Sequence, residues 1–262
     1  MQSSSWIYQS WKMQKLISTP ILGPIIVLAV WWVTTQLHFV SPILLPRLDD
    51  TLWKFYSLLV SAKAFPDIWS TVYRTMVGLG IASFFGIITG LFIGTYTEIY
   101  KTFGIVIDFF RSLPATAMFP LFLLIFGIGS ASKIAIAIFI SFWVILLHSA
   151  YGVIHSSRTR TKVARSLGAT NWQIFKHVTV MEALPNIVVG LKTAISLSLI
   201  VVVVSEMFIG SSNGLGQKIY DSYLTYESPN LYAWLIITGI VGYLINAVFS
   251  SFERKVLHWV GR

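Results

Sequence analysis

Residues 162–185 read KVARSLGATNWQIFKHVTVMEALP, a polar and basic stretch between two long apolar runs. The spacing predicts a basic amphipathic helix from Arg158 to Leu167. Gly168 interrupts it where a left-handed residue would end a helix. Asn171 reads as the N-cap of a second short helix from Trp172, which places Ile174, Phe175 and Val178 on one face. Pro185 precedes the next apolar run. Two short helices with apolar faces, lying outside any membrane-length segment, need something to cover those faces. A soluble partner would do so, and so would anionic lipid on which the helices lie flat. On these residues alone both readings stand.

Outward from this stretch, the chain is hydrophobic. Of its 262 residues 55% are hydrophobic and 11% charged, where a soluble domain carries about a quarter charged residues. The deficit points to lipid as solvent, and ten Trp and eleven Tyr supply interfacial anchors. Spans of about twenty apolar residues are expected at 21–40, 71–96, 102–128, 133–151, 187–209 and 231–249. A short surface helix is expected at 51–62 and another beyond Gly216. The chain therefore divides into an N-terminal segment, 1–20, and one transmembrane domain, 21–262, with the basic loop at 152–186. The apolar run after Lys12 and Lys15 is too long for a cleaved signal peptide.

The net charge of +9 reads as topology and implies no nucleic-acid partner. With six spans and the N-terminus inside, the inner side holds Lys12, Lys15, Lys101, Arg158, Arg160, Lys162, Arg165, Lys176, Arg254, Lys255 and Arg262. The outer side holds Arg47, Lys54, Lys63, Lys133 and Lys218. Basic residues concentrate on the cytoplasmic side of membrane proteins, so both termini and the loop at 152–186 are expected inside.

Within the spans, Gly78, Ala82, Gly86, Gly90 and Gly94 recur every four residues, a stripe on which a second helix can pack closely. Pro114 and Pro120 each remove a backbone donor from the third span, which predicts a helix broken near a pathway or kinked for packing. Asp108, Arg111, Lys192 and Glu206 are ionisable groups at membrane depth, costly unless they face protein or water. Arg111 and Lys192 could attract an anion. Equally, Asp108 could pair with Arg111 three residues on, and Lys192 could reach the cytoplasmic interface. His148 reads as a packing histidine. There is no cysteine, no metal-spaced histidine cluster and no phosphate-binding loop of the Gly-rich Lys-Ser/Thr type. No cofactor is expected, and ATP hydrolysis would have to come from another subunit. A secondary transporter and a membrane scaffold that recruits a soluble protein remain alternatives at this level.

The run Val163-Ala164-Arg165-Ser166-Leu167-Gly168-Ala169-Thr170, with Pro185 seventeen residues after Gly168, resembles the cytoplasmic signature of ATP-binding-cassette (ABC) importer permeases. Other segments are similar to the nitrate, sulfonate, taurine and bicarbonate branch of that family. They are Leu45-Pro46, Tyr73-Arg74-Thr75-Met76-Val77-Gly78, Arg111-Ser112-Leu113-Pro114 with Phe119-Pro120-Leu121, Phe126-Gly127-Ile128-Gly129, Ser205-Glu206-Met207 and Gly214-Leu215-Gly216. Lys162 stands where the signature usually has Glu, Met181 where a first Pro is common, and Ala115 in place of the second Pro of a frequent pair.

The resemblance implies an all-α integral membrane protein with the type I importer fold, about six transmembrane helices and a cytoplasmic coupling helix. It implies ABC ATPase subunits, a substrate-binding protein, a second permease copy and the lipid bilayer as partners, in a bacterial inner membrane. The ATPase contact would fall on Ala164, Arg165, Leu167, Gly168, Ala169, Asn171, Trp172, Phe175 and Pro185. The pathway would involve Arg111, Pro114, Pro120, Lys192 and Glu206. The cargo would be a small solute such as nitrate, bicarbonate or a sulfonate, with heterocyclic vitamins among the relatives' options.

Overall fold

The computed structural model describes residues 21–259; the expected N-terminal segment 1–20 lies outside them. Described residues form helices joined by short turns. They are α1 (Leu22–Gln36), α2 (Leu48–Val60), α3 (Phe65–Thr95), α4 (Thr97–Ser112), α5 (Phe119–Phe126), α6 (Ser130–Ile154), α7 (Arg158–Ser166), α8 (Asn171–Ile174), α9 (Val180–Ile209), α10 (Leu215–Leu224) and α11 (Ser228–Val256). Four helical stretches are long and apolar enough to cross a membrane: α3, α6, α8 through α9, and α11. The pair α4 and α5 makes a fifth, bent by 85°. α1 occupies the first expected span but is only 15 residues long. That is about 22 Å of helix against about 30 Å of hydrocarbon. It stops before residue 40 because His38 takes a left-handed φ of 55°.

The core is a sandwich of α3, α6 and α9. In lipid no hydrophobic driving force holds helices together, so close van der Waals contact must. The stripe on α3 provides it. A methyl group added at Gly78 would stand 2.6 Å from Ala137 Cβ, and one at Gly94 2.7 Å from the Ala150 carbonyl oxygen. α6 meets α9 in the same way, since a methyl at Gly152 would lie 2.8 Å from Ala183 Cα. His148, half-buried, packs over Gly190, a packing histidine as expected. α2, α10 and α11 close one end of the sandwich around Leu215, Ile219, Trp234 and Ile237. α1 is tied on by polar contacts of its own: Trp31 Nε1 donates to the Pro46 carbonyl at 3.0 Å, and the Trp31 and Tyr232 rings lie 5.4 Å apart.

Two expectations about prolines change. Pro114 breaks the third span, with Leu113 and Pro114 both extended (ψ 124° and 123°), because a proline disfavours helical backbone in the residue before it. Pro120 does not kink anything. It sits in the first turn of α5, where its missing N–H has no intrahelical partner to lose. Pro185, expected ahead of the fifth span, lies inside α9. That helix is continuous with α8 through a π turn at Phe175–Thr179, so the fifth apolar helix begins far earlier than residue 187.

Candidate functional site

The loop at 152–186 is a helical hairpin, most of it regular. α7 starts on Ser157, whose side chain accepts from Arg160 N–H at 3.3 Å. It ends on Gly168 with φ 82°. The next cap is Thr170, not Asn171. Thr170 accepts from Gln173 N–H at 3.3 Å while the Gln173 side chain accepts from Thr170 N–H at 2.8 Å, a reciprocal capping box. Asn171 is the first helical residue instead.

The face expected to lie open is the one turned inward: Ile174 is buried, and Phe175 and Val178 are half-buried. The open apolar surface comes from the other side of the hairpin. Leu167 is 82% exposed, Trp172 68% and Val163 55%, with Arg165, Lys162 and Lys176 exposed around them. Ala164, Ala169 and Pro185 are half-buried and Gly168 and Asn171 exposed. The result is a convex knuckle with an apolar crest and a basic rim. Large apolar side chains at a convex tip, ringed by polar groups, suit insertion into a pocket of a partner.

Of the pathway candidates, Arg111 pairs with Asp108 at 3.1 Å, and both side chains are more than half exposed. They sit at the end of α4, against the break at Pro114. α4 exposes Glu98, Lys101, Thr102, Asp108 and Ser112 together with Phe103, Ile105, Val106 and Phe109, and buries Ile107. Pro120 borders a cavity with Thr116, Phe119 and Phe208. Lys192 reaches Glu253 of α11 at 2.8 Å, a tie between two helices. The structure brings Arg111, Pro114 and Pro120 to one broken segment and leaves Lys192 and Glu206 apart from it, each in a separate ion pair.

Glu206 is fully enclosed. Its carboxylate accepts from Arg74 Nη1 at 2.6 Å, from Thr71 Oγ1 at 2.9 and 3.0 Å, and from Gly216 N–H at 3.0 Å. Arg74 also donates to the Asn213 carbonyl and to Ser130 Oγ. Asp67 accepts from Gly214 N–H at 2.8 Å, and Lys133 donates to the carbonyls of Ile128 and Gly129. Two carboxylates and two cations thus share one buried cluster that joins α3, α6, α9 and the turn before α10. Arg74 and Glu206 pair with each other, and Asp67 and Lys133 are held by backbone hydrogen bonds, as buried charged groups require. Gly214 is forced: its φ is 145°, and a methyl there would stand 2.6 Å from a Glu206 carboxylate oxygen. Arg74 was not a sequence candidate. The available signal was an arginine three turns into an apolar helix, with Asp67 seven residues before it on the same face.

Residues 82–260 match the family described as Binding-protein-dependent transport system inner membrane component. The chain is 25% identical to the taurine transport system permease protein TauC of Escherichia coli (strain K12), over 96% of this chain and 93% of TauC. It is 28% identical to the nitrate import permease protein NrtB of Leptolyngbya laminosa, over 74% of this chain and 69% of NrtB. Its fold is similar to that of a chain of the MetNI methionine ABC transporter in an inward-facing conformation. That match has a TM-score of 0.61 and 24% identity, and covers 76% of this chain and 96% of the other.

Proposed function

The chain belongs to the family of binding-protein-dependent transport system inner membrane components, permeases of ABC importers, and from that premise we propose that two copies of it line a route for a small anion, with the C-terminus and the α7–α8 hairpin on the cytoplasmic side. As a transport component it does not itself catalyse a reaction, and its family implies a separate ATPase and a binding protein.

The observation that carries the anion route is the exposed Asp108–Arg111 pair. A charge facing hydrocarbon at mid-membrane costs about 2.5–3.5 kcal/mol on insertion scales, so α4 turns its polar surface to water or to a second copy rather than to lipid. A guanidinium beside the Pro114 break can take two oxygens of a nitrate or sulfonate at once, and Asp108 holds it until the anion arrives. The taurine and nitrate relatives support a cargo with an oxyanion group, the sulfonate end of zwitterionic taurine or nitrate itself. On the inner side, we assign the ATPase contact to the Leu167–Trp172 knuckle. α7 and α8 ride on the ATPase as it closes and pass the motion to α9.

The test is the complete complex in proteoliposomes, with its binding protein, assayed for ligand-stimulated ATP hydrolysis over nitrate, bicarbonate, taurine, alkyl sulfonates and heterocyclic vitamins. An anion is expected to stimulate. Arg111→Gln should lower uptake about tenfold or more while leaving the binding protein's affinity unchanged. Stimulation only by a ligand that carries no nitrate, bicarbonate or sulfonate group, or wild-type uptake by Arg111→Gln, refutes the anion route.

A further inference from the structure

We propose that Glu182 is the positioning residue that makes the α7–α8 hairpin and the span α9 move as one lever; this rests on the reading of the hairpin as the ATPase contact. Three observations meet at this residue. Its side chain is 11% exposed and reaches across from α9 to α7. There Oε2 accepts from Ser157 N–H, just before the first turn of α7, and Oε1 lies 2.7 Å from Arg160 Nε, an ion pair without an aligned N–H. One carboxylate therefore satisfies an orphan donor at a helix start, sits at the positive end of that helix, and holds an arginine one turn in.

Little else fastens α7. A cavity of about 770 Å³, bordered by Val163, Leu167, His177, Met181 and Trp259, separates it from α9. Among the described side chains no other hydrogen bond or ion pair joins α7 to α9.

The covalent route from hairpin to span is weak. α8 runs into α9 through the π turn at Phe175–Thr179, and Pro185 follows within the helix. Both interrupt the regular backbone ladder, and helices bend at such points. A load applied at Leu167 and Trp172 would flex the π turn unless a second strut bypassed it. The Ser157–Arg160–Glu182 bridge is that strut. It delivers the load next to Ala183, where α9 touches α6 backbone to backbone over Gly152, so displacement passes to both core helices.

The experiment uses the full complex in proteoliposomes, with a Ser166→Cys background at the exposed position beside the crest, labelled with a thiol-reactive photo-cross-linker to capture the co-expressed ATPase, and measures uptake per ATP hydrolysed. Glu182→Ala is expected to keep the cross-link and basal ATPase rate while uptake per ATP falls about tenfold. Glu182→Gln retains an acceptor for Ser157 N–H and should lose less. Arg160→Ala, which leaves the Ser157 contact in place, should fall between Glu182→Gln and wild type. An unchanged uptake-to-ATP ratio in Glu182→Ala with the cross-link intact overturns the lever and leaves the ATPase contact standing. Absence of the cross-link in the Ser166→Cys background overturns the ATPase contact itself. If Glu182→Ala does not insert, Glu182→Gln and Arg160→Ala decide: wild-type ratios in both overturn the proposal.

Discussion

Removing Arg74 should destabilise this protein more than removing any exposed charge. The side chain is 6% exposed and its ion-pair partner Glu206 is 0% exposed. Arg74→Ala deletes the 2.6 Å ion pair and the bonds to Asn213 and Ser130. Glu206 keeps only Thr71 and Gly216 N–H. Breaking a buried pair by removing one partner costs about 3–5 kcal/mol, because the remaining charge stays buried without its counter-ion. For a chain of this size each kcal/mol moves the melting midpoint by about 2–4 °C, so a drop of roughly 6–20 °C is expected. Tryptophan fluorescence on heating in detergent, with size-exclusion profiles of heated samples, measures it. Glu206→Gln should fall within the same range, because it leaves Arg74 as the unpaired group. The double change Arg74→Ala with Glu206→Gln should lose less than the two singles together, since no uncompensated charge remains. Midpoints within 2 °C of wild type for both single variants would refute the reasoning, as would strict additivity in the double.

Gly214→Ala should lower the yield of folded protein, because it places a methyl against the Glu206 carboxylate at a φ of 145° that only glycine adopts without strain; size-exclusion profiles of detergent extracts read this. Gly94→Val should separate α3 from α6 and cost at least the roughly 1–3 kcal/mol typical of overpacking; the thermal assay tests it against Gly80→Val, where a methyl meets nothing within 4 Å. Thr170→Ala removes the capping box and should cost about 1 kcal/mol locally, seen as faster amide exchange at residues 171–174 with an unchanged global midpoint. Arg165→Glu and Gly168→Pro should abolish transport with normal membrane insertion, the first by reversing the basic rim and the second because proline cannot adopt φ 82°; uptake at the wild-type rate in either removes the knuckle from the ATPase contact.

Much of the architecture is local and was legible. The length and apolarity of the runs located most of the spans, the four-residue glycine stripe predicted a close helix contact along α3, and Gly168 predicted the turn of the hairpin. Asp108 and Arg111, three apart on one helix, pair as that spacing allows. Boundaries were less legible where a local signal pointed two ways. Pro114 and Pro120 look alike in sequence, yet one ends a helix and the other opens one, and which does which depends on the backbone already committed on either side. Thr170 and Asn171 are both good caps; the glutamine three residues after Thr170 settled the matter in favour of threonine.

By itself, then, the sequence determined that this is a multi-span membrane protein with a basic helical hairpin between its fourth and fifth apolar runs, since hydropathy, charge placement and turn glycines act over a few residues. Tertiary structure alone decided what the charges are for and which way the hairpin faces. Arg74 and Glu206 are 132 residues apart, and no spacing rule pairs side chains from two helices that meet only when the bundle closes. The hairpin offers two apolar faces of similar strength. The closed hairpin buries Ile174 beside Ala164 and Val178 and leaves Leu167 and Trp172 outward, because a helix face is concealed by its neighbours in space and not by its own periodicity.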